Sequence, residues 1–166
     1  MRQELEHDEV SLVIRATPAT LYDLVTDITR TAEFSPNVLR SQWIGGATAP
    51  AVGARFKASS APRRGFAPSN KAVIASADRG RQFAFNRTVP FAGTVEWRYQ
   101  FSPESDGTRV IESYTVIKPI TALGWFIIGI VFGEKDRKTA LRADMQETLL
   151  RIKAAIESPG SSAAAT

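Results

Sequence analysis

Apolar and polar residues alternate along the first part of the chain, which indicates short β-strands joined to short helices. Residues 10–14 read Val-Ser-Leu-Val-Ile, a pattern that predicts a strand with a strongly apolar face. Thr17 and Pro18 form a typical helix start, and apolar residues recur at helical spacing over residues 21–28. Phe34-Ser35-Pro36 interrupts this region, because proline holds its predecessor in extended conformations. A second short helix fits before that break.

Residues 38–117 contain six further β-like segments, each followed or preceded by Gly, Pro or Asp residues that favour turns. The predicted strands are Leu39–Ile44, Ala54–Ser60, Asn70–Ala77, Gln82–Val89, Thr94–Phe101 and Thr108–Ile117. Together with the opening strand they predict an antiparallel sheet of about seven strands.

The last part of the chain has helical periodicity and predicts one long amphipathic helix from about Glu134 to Glu157. Its apolar stripe consists of Leu141, Met145, Thr148, Leu149, Ile152 and Ile156. The order of elements is typical of an α+β fold in which a curved antiparallel sheet wraps around the C-terminal helix. Such a sheet tends to leave an apolar cavity between itself and the helix.

The length of 166 residues fits a single domain, predicted over residues 10–157. Residues 1–9 are polar and predict a flexible N-terminus, and residues 158–166 predict a disordered tail rich in Ser and Ala. The N-terminus lacks the apolar core of a signal peptide, so the expected location is the cytoplasm.

Composition excludes several kinds of chemistry. The chain has no cysteine and one histidine, His7, which argues against disulfides, thiolate nucleophiles and Cys/His zinc sites. We expect no cofactor and no metal.

The net charge is +4, and residues 55–81 contain seven basic residues against one acidic residue, Asp78. These are Arg55, Lys57, Arg63, Arg64, Lys71, Arg79 and Arg81. They would suit an anionic ligand, a phospholipid headgroup or nucleic acid. Solvated hairpins are favoured, because no nucleic-acid-binding motif accompanies them.

Several motifs resemble one known family. They are Ala16–Tyr22 after the opening strand, Asp27 followed by Phe34-Ser35-Pro36, Trp43–Gly46 with Val52–Phe56, Trp97-Arg98-Tyr99 with Asp106–Ser113, and Met145–Lys153 in the last helix. In this order and spacing the chain resembles the polyketide cyclase/dehydratase and lipid-transport family of START-like, Bet v 1-type helix-grip proteins, the SRPBCC superfamily. The likeness covers residues 8–157.

The resemblance implies a cavity for a hydrophobic or amphipathic small molecule such as a lipid, a sterol-like compound or a polyketide. It implies no single activity, because members include aromatase/cyclases, ligand carriers and proteins without a known ligand. By resemblance, Phe34-Ser35-Pro36 and Trp43 are expected near the cavity entrance.

The strand Thr94–Phe101 places Val95, Trp97, Tyr99 and Phe101 on one face, which we expect to point inward. These aromatic residues fit an ordinary core, a cavity wall, or both. In the next strand, Glu112 shares a face with Val110, Tyr114 and Val116. A carboxylate in the cavity would act as an acid or base or accept a hydrogen bond from a ligand hydroxyl. The alternative is that Glu112 faces solvent or pairs with an Arg or Lys. Tyr114 either offers its hydroxyl to the pocket or simply packs.

The segment Ile120–Phe132 is the longest apolar run, but it is shorter than the roughly 20 residues that span a bilayer. Its glycines suit a gate at the cavity mouth that transiently contacts a membrane, whereas the alternative is a buried extension of the last helix. If exposed, residues 120–133 would also suit a homodimer interface.

Three functions stay open from the sequence: a ligand-binding module, a cyclase/dehydratase-type enzyme, and an interaction protein without a small ligand. The candidate ligand-binding residues are Phe34, Trp43, Trp97, Tyr99, Glu112, Tyr114, Phe126, Leu141, Met145 and Leu149. If the protein is an enzyme, the candidate catalytic residues are Glu112, Tyr114 and Arg98.

Overall fold

Seven strands form one antiparallel sheet in the order β1-β7-β6-β5-β4-β3-β2. A computed structural model describes residues 5–60, 69–89, 93–126 and 136–158. The strands are β1 (His7–Ile14), β2 (Val38–Ile44), β3 (Arg55–Ser60), β4 (Ser69–Asp78), β5 (Gln82–Val89), β6 (Gly93–Glu104) and β7 (Gly107–Lys118). The helices are α1 (Pro18–Thr26), a 3-10 turn (Ile28–Arg30), α2 (Thr31–Phe34) and α3 (Arg137–Glu157), and residues 122–126 are also helical. The predicted helix-grip fold is confirmed.

Strand bounds differ from the predicted ones mainly where pairing continues beyond the apolar pattern. β1 begins at His7 instead of residue 10, because His7 already lies opposite Thr115 of β7. β6 runs to Glu104 instead of residue 101, because its last residues pair with β7 up to the turn and Glu104 lies opposite Gly107. Main-chain hydrogen bonds therefore extend both strands through polar residues that carry no apolar signal.

Helix starts are fixed by local side-chain caps. The Thr17 hydroxyl accepts a hydrogen bond from the Thr20 amide at 3.2 Å, and Pro18 occupies the first turn, as predicted. Asp136 caps α3 by accepting from the Thr139 amide at 3.0 Å. The predicted start of the last helix, Glu134, lies outside the described residues, and the described helix begins at Arg137.

Helix α3 packs on the sheet through the predicted stripe. Met145, Thr148, Leu149 and Ile152 are buried, while Leu141 and Ile156 are partly buried. Three polar contacts join α3 to β1. Arg142 pairs with Asp8 at 2.5 Å and donates to the Glu9 carbonyl at 3.4 Å, and the Lys153 ammonium donates to the Val13 carbonyl at 3.2 Å.

One end of the space between sheet and helix is filled by packed side chains. Tyr22 of α1 meets Phe83 and Phe101 edge to face, with ring centroids 6.4 and 6.1 Å apart. Ile14 and Ile152 are fully buried in the same core. The inward face of the sheet continues beyond this core, and there it encloses a cavity.

Candidate ligand-binding cavity

A cavity of about 470 Å³ lies between the inward face of the sheet, α2 and α3. Its volume is within the range of small-molecule sites. Three rows of side chains cross β5, β6 and β7 on its wall: Phe83, Tyr99 and Glu112; Phe85, Trp97 and Tyr114; Arg87, Val95 and Val116. The first row adjoins the packed core, because Phe101 and Val110 lie beyond it and do not line the cavity.

Most of the predicted ligand-binding residues lie on this wall. They are Phe34 of α2, Trp97 and Tyr99 of β6, Glu112 and Tyr114 of β7, and Leu141 and Met145 of α3. Ser35 and Pro36, expected at the entrance, also line the cavity. The aromatic residues of β6 are thus both core and cavity wall, because the same inward face serves the two regions.

Three other predicted residues do not line the cavity. Trp43 packs edge to face on Phe56, with ring centroids 6.1 Å apart, at the rim of a separate shallow groove. Leu149 lies one turn beyond Met145 along α3 and is buried in the core. Phe126, the last described residue of a helical segment that starts at residue 122, is 66% exposed.

Arg98 is also placed away from the cavity, against its prediction as a catalytic candidate. It lies on the opposite face of β6, where its guanidinium donates to Glu96 at 2.7 and 3.0 Å and to Gln82 at 2.7 Å. Strand alternation already puts Arg98 on the face opposite Trp97 and Tyr99. Its side chain therefore joins neighbouring residues on the outer face of the sheet and does not reach the cavity.

Glu112 faces the cavity and is 4% exposed, so the alternative of a solvent-facing or Arg-paired carboxyl is wrong. Its Oε1 atom accepts a hydrogen bond from the Tyr99 hydroxyl at 2.9 Å. Its Oε2 atom is buried and has no hydrogen-bond partner among the described residues. Burial raises the pKa of Glu112 to about 8, and the charge of Asp144 on α3 adds to the rise, while the Tyr99 hydrogen bond opposes it.

Tyr114 is the second buried polar group on the wall. It packs against Trp97 with ring centroids 5.8 Å apart and is 1% exposed. Its hydroxyl has no partner within the described part of the chain, and burial raises the pKa of the phenol. The hydroxyl of Ser41 on β2 is buried and unpartnered in the same way. Ser41 lies on the edge strand at the other end of the sheet from β7, whereas Glu112 and Tyr114 are neighbours on the inward face of β7. Buried polar atoms in proteins are usually hydrogen-bonded, so the pair on β7 suits a polar ligand group.

Sequence reasoning missed Arg87, although a signal for it exists. Phe83, Phe85 and Arg87 occupy every second position of β5, so the three side chains share the inward face. Burial lowers the pKa of Arg87 to about 10, and the nearby charge of Arg137 adds to the effect. At neutral pH the group remains a cation.

A polar bridge joins α3 to the segment after α2. Asn37 donates a short hydrogen bond to Asp144, and both residues line the cavity. Neither residue was predicted, because their partnership links positions far apart in the chain and leaves no local pattern.

The predicted basic segment is largely exposed where it is described. Arg55, Lys71 and Arg81 are exposed, and Arg79 forms an exposed ion pair with Asp23 at 2.6 Å. Arg63 and Arg64 lie outside the described residues. Within the described ranges, no cluster of three or more His, Asp or Glu side chains is arranged to hold a metal ion.

No helix in the described part of the chain is both long and apolar enough to cross a bilayer. Of the apolar run Ile120–Phe132, residues 127–132 lie outside the described ranges, so the predicted gate and the homodimer through residues 120–133 stay predictions.

Comparison with known proteins gives one family and many similar folds. The family model described as "Polyketide cyclase / dehydrase and lipid transport" matches residues 7–157. No curated protein matches the chain.

Among solved structures, the Polyketide_cyc-like protein Cgl2372 from Corynebacterium glutamicum is 26% identical, with a TM-score of 0.57 and coverage of 93% of this chain and 94% of that one. Protein CV1439 from Chromobacterium violaceum is 14% identical, with a TM-score of 0.70 and coverage of 92% and 99%. The di-domain ARO/CYC StfQ from the steffimycin biosynthetic pathway is 16% identical, with a TM-score of 0.69; 89% of this chain matches 49% of StfQ.

Proposed function

The chain belongs to the polyketide cyclase / dehydrase and lipid transport family, and from that premise we propose that it binds an amphipathic small molecule in the cavity between the sheet and α3. The observation that carries the proposal is a pair of buried polar atoms on β7, Glu112 Oε2 and the Tyr114 hydroxyl, which have no hydrogen-bond partner among the described residues and belong to a cavity lined mainly by apolar side chains. The Ser41 hydroxyl on β2 is a third such atom. The aromatic rows around them supply the contact for an apolar body.

A bound ligand would supply the hydrogen-bond partners that these polar atoms lack. A buried donor or acceptor without a partner costs about 1–3 kcal/mol. A ligand hydroxyl or carbonyl group that reaches Glu112 and Tyr114 removes this cost, whereas a pure hydrocarbon leaves it in place. Because a carboxylic acid and a phenol can each donate or accept, either polar group fits the site. The ligand is therefore expected to carry both an apolar body and a polar group.

The test begins with mass spectrometry of the purified protein, first native and then denatured with organic extraction. We expect a small molecule that contains an oxygen function and is lost on denaturation. In parallel, calorimetric titration compares decanol with decane-like hydrocarbon probes of similar size, and decanol should bind more tightly. A protein that carries no extractable molecule and binds neither probe would contradict the proposal.

A second function is favoured by the chemistry of Glu112. A carboxyl group with a pKa of about 8 holds its proton at neutral pH and can release it to a base, which suits a cyclase/dehydratase-type enzyme. The Tyr99 hydroxyl, bonded to Glu112, would hold the carboxyl in one orientation. The aromatic rows would enclose a flexible substrate and bring its reacting carbon atoms together.

The two functions separate in the variant Glu112→Gln, which keeps the shape of the side chain but cannot exchange a proton. With a short β-ketoacyl thioester as probe, an enzyme should lose about 100-fold or more of its turnover in this variant. A binding protein should show only a change in affinity for decanol. Turnover that the variant retains would remove Glu112 from the catalytic candidates.

A further inference from the structure

Arg87 is a cation on the wall of a largely apolar cavity. It lies on β5 directly opposite Ala72 of β4 and Val95 of β6, and it follows Phe85 on the inward face. No carboxylate of the described residues pairs with it. The charged neighbour that acts on it is another guanidinium, that of Arg137 on α3. Arg87 is partly buried, and a partly buried charge without a counter-ion is unfavourable, so this arrangement suits an anion.

The acidic groups of the cavity are engaged elsewhere. Asp144 accepts a hydrogen bond from Asn37, and Glu112 accepts one from Tyr99. Glu112 also lies in the row of Phe83, four residues along β5 from Arg87. At about 3.3 Å per residue this separates the two rows by about 13 Å along the strand. The carboxyl and the guanidinium therefore lie toward opposite ends of the wall.

We propose that the ligand is an amphipathic anion whose carboxylate or phosphate group pairs with Arg87, while its apolar body lies along the aromatic rows and a second polar group, a hydroxyl or carbonyl, reaches Glu112 and Tyr114. The planar guanidinium binds either anion with two parallel hydrogen bonds. This inference rests on the proposed binding function and narrows its ligand class. The pKa of about 10 keeps Arg87 charged at neutral pH, as ion pairing requires.

The experiment measures the binding of three probes that each have ten carbon atoms, by calorimetric titration at pH 7: decanoate, decyl phosphate and the neutral decanol. We expect the wild-type protein to prefer one or both anions over decanol by about tenfold or more, because a hydrogen bond to a charged group contributes about 1.5–3 kcal/mol. The tighter of the two anions identifies the head group. In Arg87→Gln the preference for anions should disappear, while decanol binding changes less than threefold.

Two further variants control for charge and folding. Arg109 lies on the opposite face of the sheet, where it pairs with Glu104 at 2.5 Å. Arg109→Gln therefore removes one positive charge from the protein without touching the cavity, and it should keep the anion preference. Arg87→Lys keeps the charge but loses the bidentate geometry of the guanidinium, so it should bind the anions with intermediate affinity. It also tests the inference if Arg87→Gln does not fold.

The outcomes are distinct for the two proposals. Equal wild-type affinity for decanol and both anions would overturn the inference and leave the proposed function standing. The inference would also fail if Arg87→Gln and Arg109→Gln reduced anion binding to the same extent, because the effect would then be one of net charge. If none of the three probes binds, the proposed function and this inference fall together.

Discussion

Tyr99 and Tyr114 both bury a hydroxyl group on the cavity wall, but they differ in whether the protein supplies a partner. The Tyr99 hydroxyl donates to Glu112 at 2.9 Å, whereas the Tyr114 hydroxyl has no partner among the described residues. The first hydroxyl therefore contributes to the fold, and the second is the one that the proposed ligand would bond. Glu112 combines both situations in one carboxyl group, since one of its oxygen atoms is bonded and the other is not.

This difference predicts opposite effects for two matched substitutions. Tyr99→Phe leaves the bonded Glu112 oxygen without its donor, so the free energy of unfolding should fall by about 1–3 kcal/mol. Tyr114→Phe removes a buried hydroxyl that has no partner in the described part of the chain, so stability should stay the same or rise, while decanol affinity falls. Urea unfolding and calorimetric titration of both variants test this. Equal destabilisation by the two substitutions would contradict the assignment.

The raised pKa of Glu112 predicts how stability depends on pH. The folded protein holds the carboxyl proton up to about pH 8, whereas the unfolded chain releases it near the ordinary value of 4.5. Between these values the folded state binds more protons, so the contribution of Glu112 to stability is fully present below pH 4.5 and falls as pH rises toward 8. The slope is at most about 1.4 kcal/mol per pH unit. The ionisable groups that act on Glu112 are Tyr99 on β6 and Asp144 on α3.

Urea unfolding at intervals between pH 5 and 8 measures this slope. Glu112→Gln, which cannot ionise, should have a flatter profile than the wild-type protein. The control is Glu6→Gln, because Glu6 is exposed just before β1 and its variant should parallel the wild type. Parallel profiles for Glu112→Gln and the wild type would show that Glu112 ionises in the folded protein as readily as in the unfolded chain.

At the scale of elements, the cavity depends on a close approach of backbone at the start of β6. Gly93 has φ of 85°, and a Cβ atom there would lie 2.2 Å from the Lys118 carbonyl oxygen of β7. Gly53, before β3, has the same φ of 85°, but nothing lies within 4 Å of its Cβ position. The two glycines therefore share a left-handed backbone and differ only in the space around them.

We expect Gly53→Ala to lower the free energy of unfolding by about 1–2 kcal/mol, which is the cost of placing an L-residue in the left-handed region. Gly93→Ala should cost about 1–3 kcal/mol more, because its methyl group displaces the β7 backbone. Chemical denaturation of the two variants isolates the steric effect. A similar decrease in the free energy of unfolding for both variants would mean that the β6 and β7 backbones separate easily.

At the scale of the whole molecule, the sheet and α3 divide their shared space into a packed core and a cavity. Binding should therefore be separable from folding. Ala72 is buried and lines the cavity on β4, while its neighbour Val73 faces the other side of the sheet and is 41% exposed.

Ala72→Phe places a ring inside the cavity, so decanol affinity should fall about tenfold or more while the melting temperature stays near that of the wild type. Val73→Phe adds comparable volume on the outer face and should leave affinity unchanged. Thermal melts and titrations of the pair test this expectation. A large drop in melting temperature for Ala72→Phe would show that this part of the space is packed rather than open.

The sequence by itself determined the elements and their faces. Period-two alternation and turn residues locate all seven strands, and the cap at Thr17-Pro18 locates α1, because these signals act between neighbours in the chain. The same alternation places Glu112, Trp97 and Tyr99 on the inward face. Arg87 could have been found in this way, since it follows Phe83 and Phe85 in register.

Only the tertiary structure decided what each inward residue does. Periodicity gives the face of a strand or helix but not the depth at which the core ends and the cavity begins, which depends on where α1 and α3 cross the sheet. Met145 therefore lines the cavity while Leu149, one turn away on the same stripe, is core, and Trp43 packs on Phe56 instead. Hydrogen bonding between distant residues also leaves no local signal. For that reason only the fold separates Tyr99, which has Glu112 as its partner, from Tyr114, which has none among the described residues.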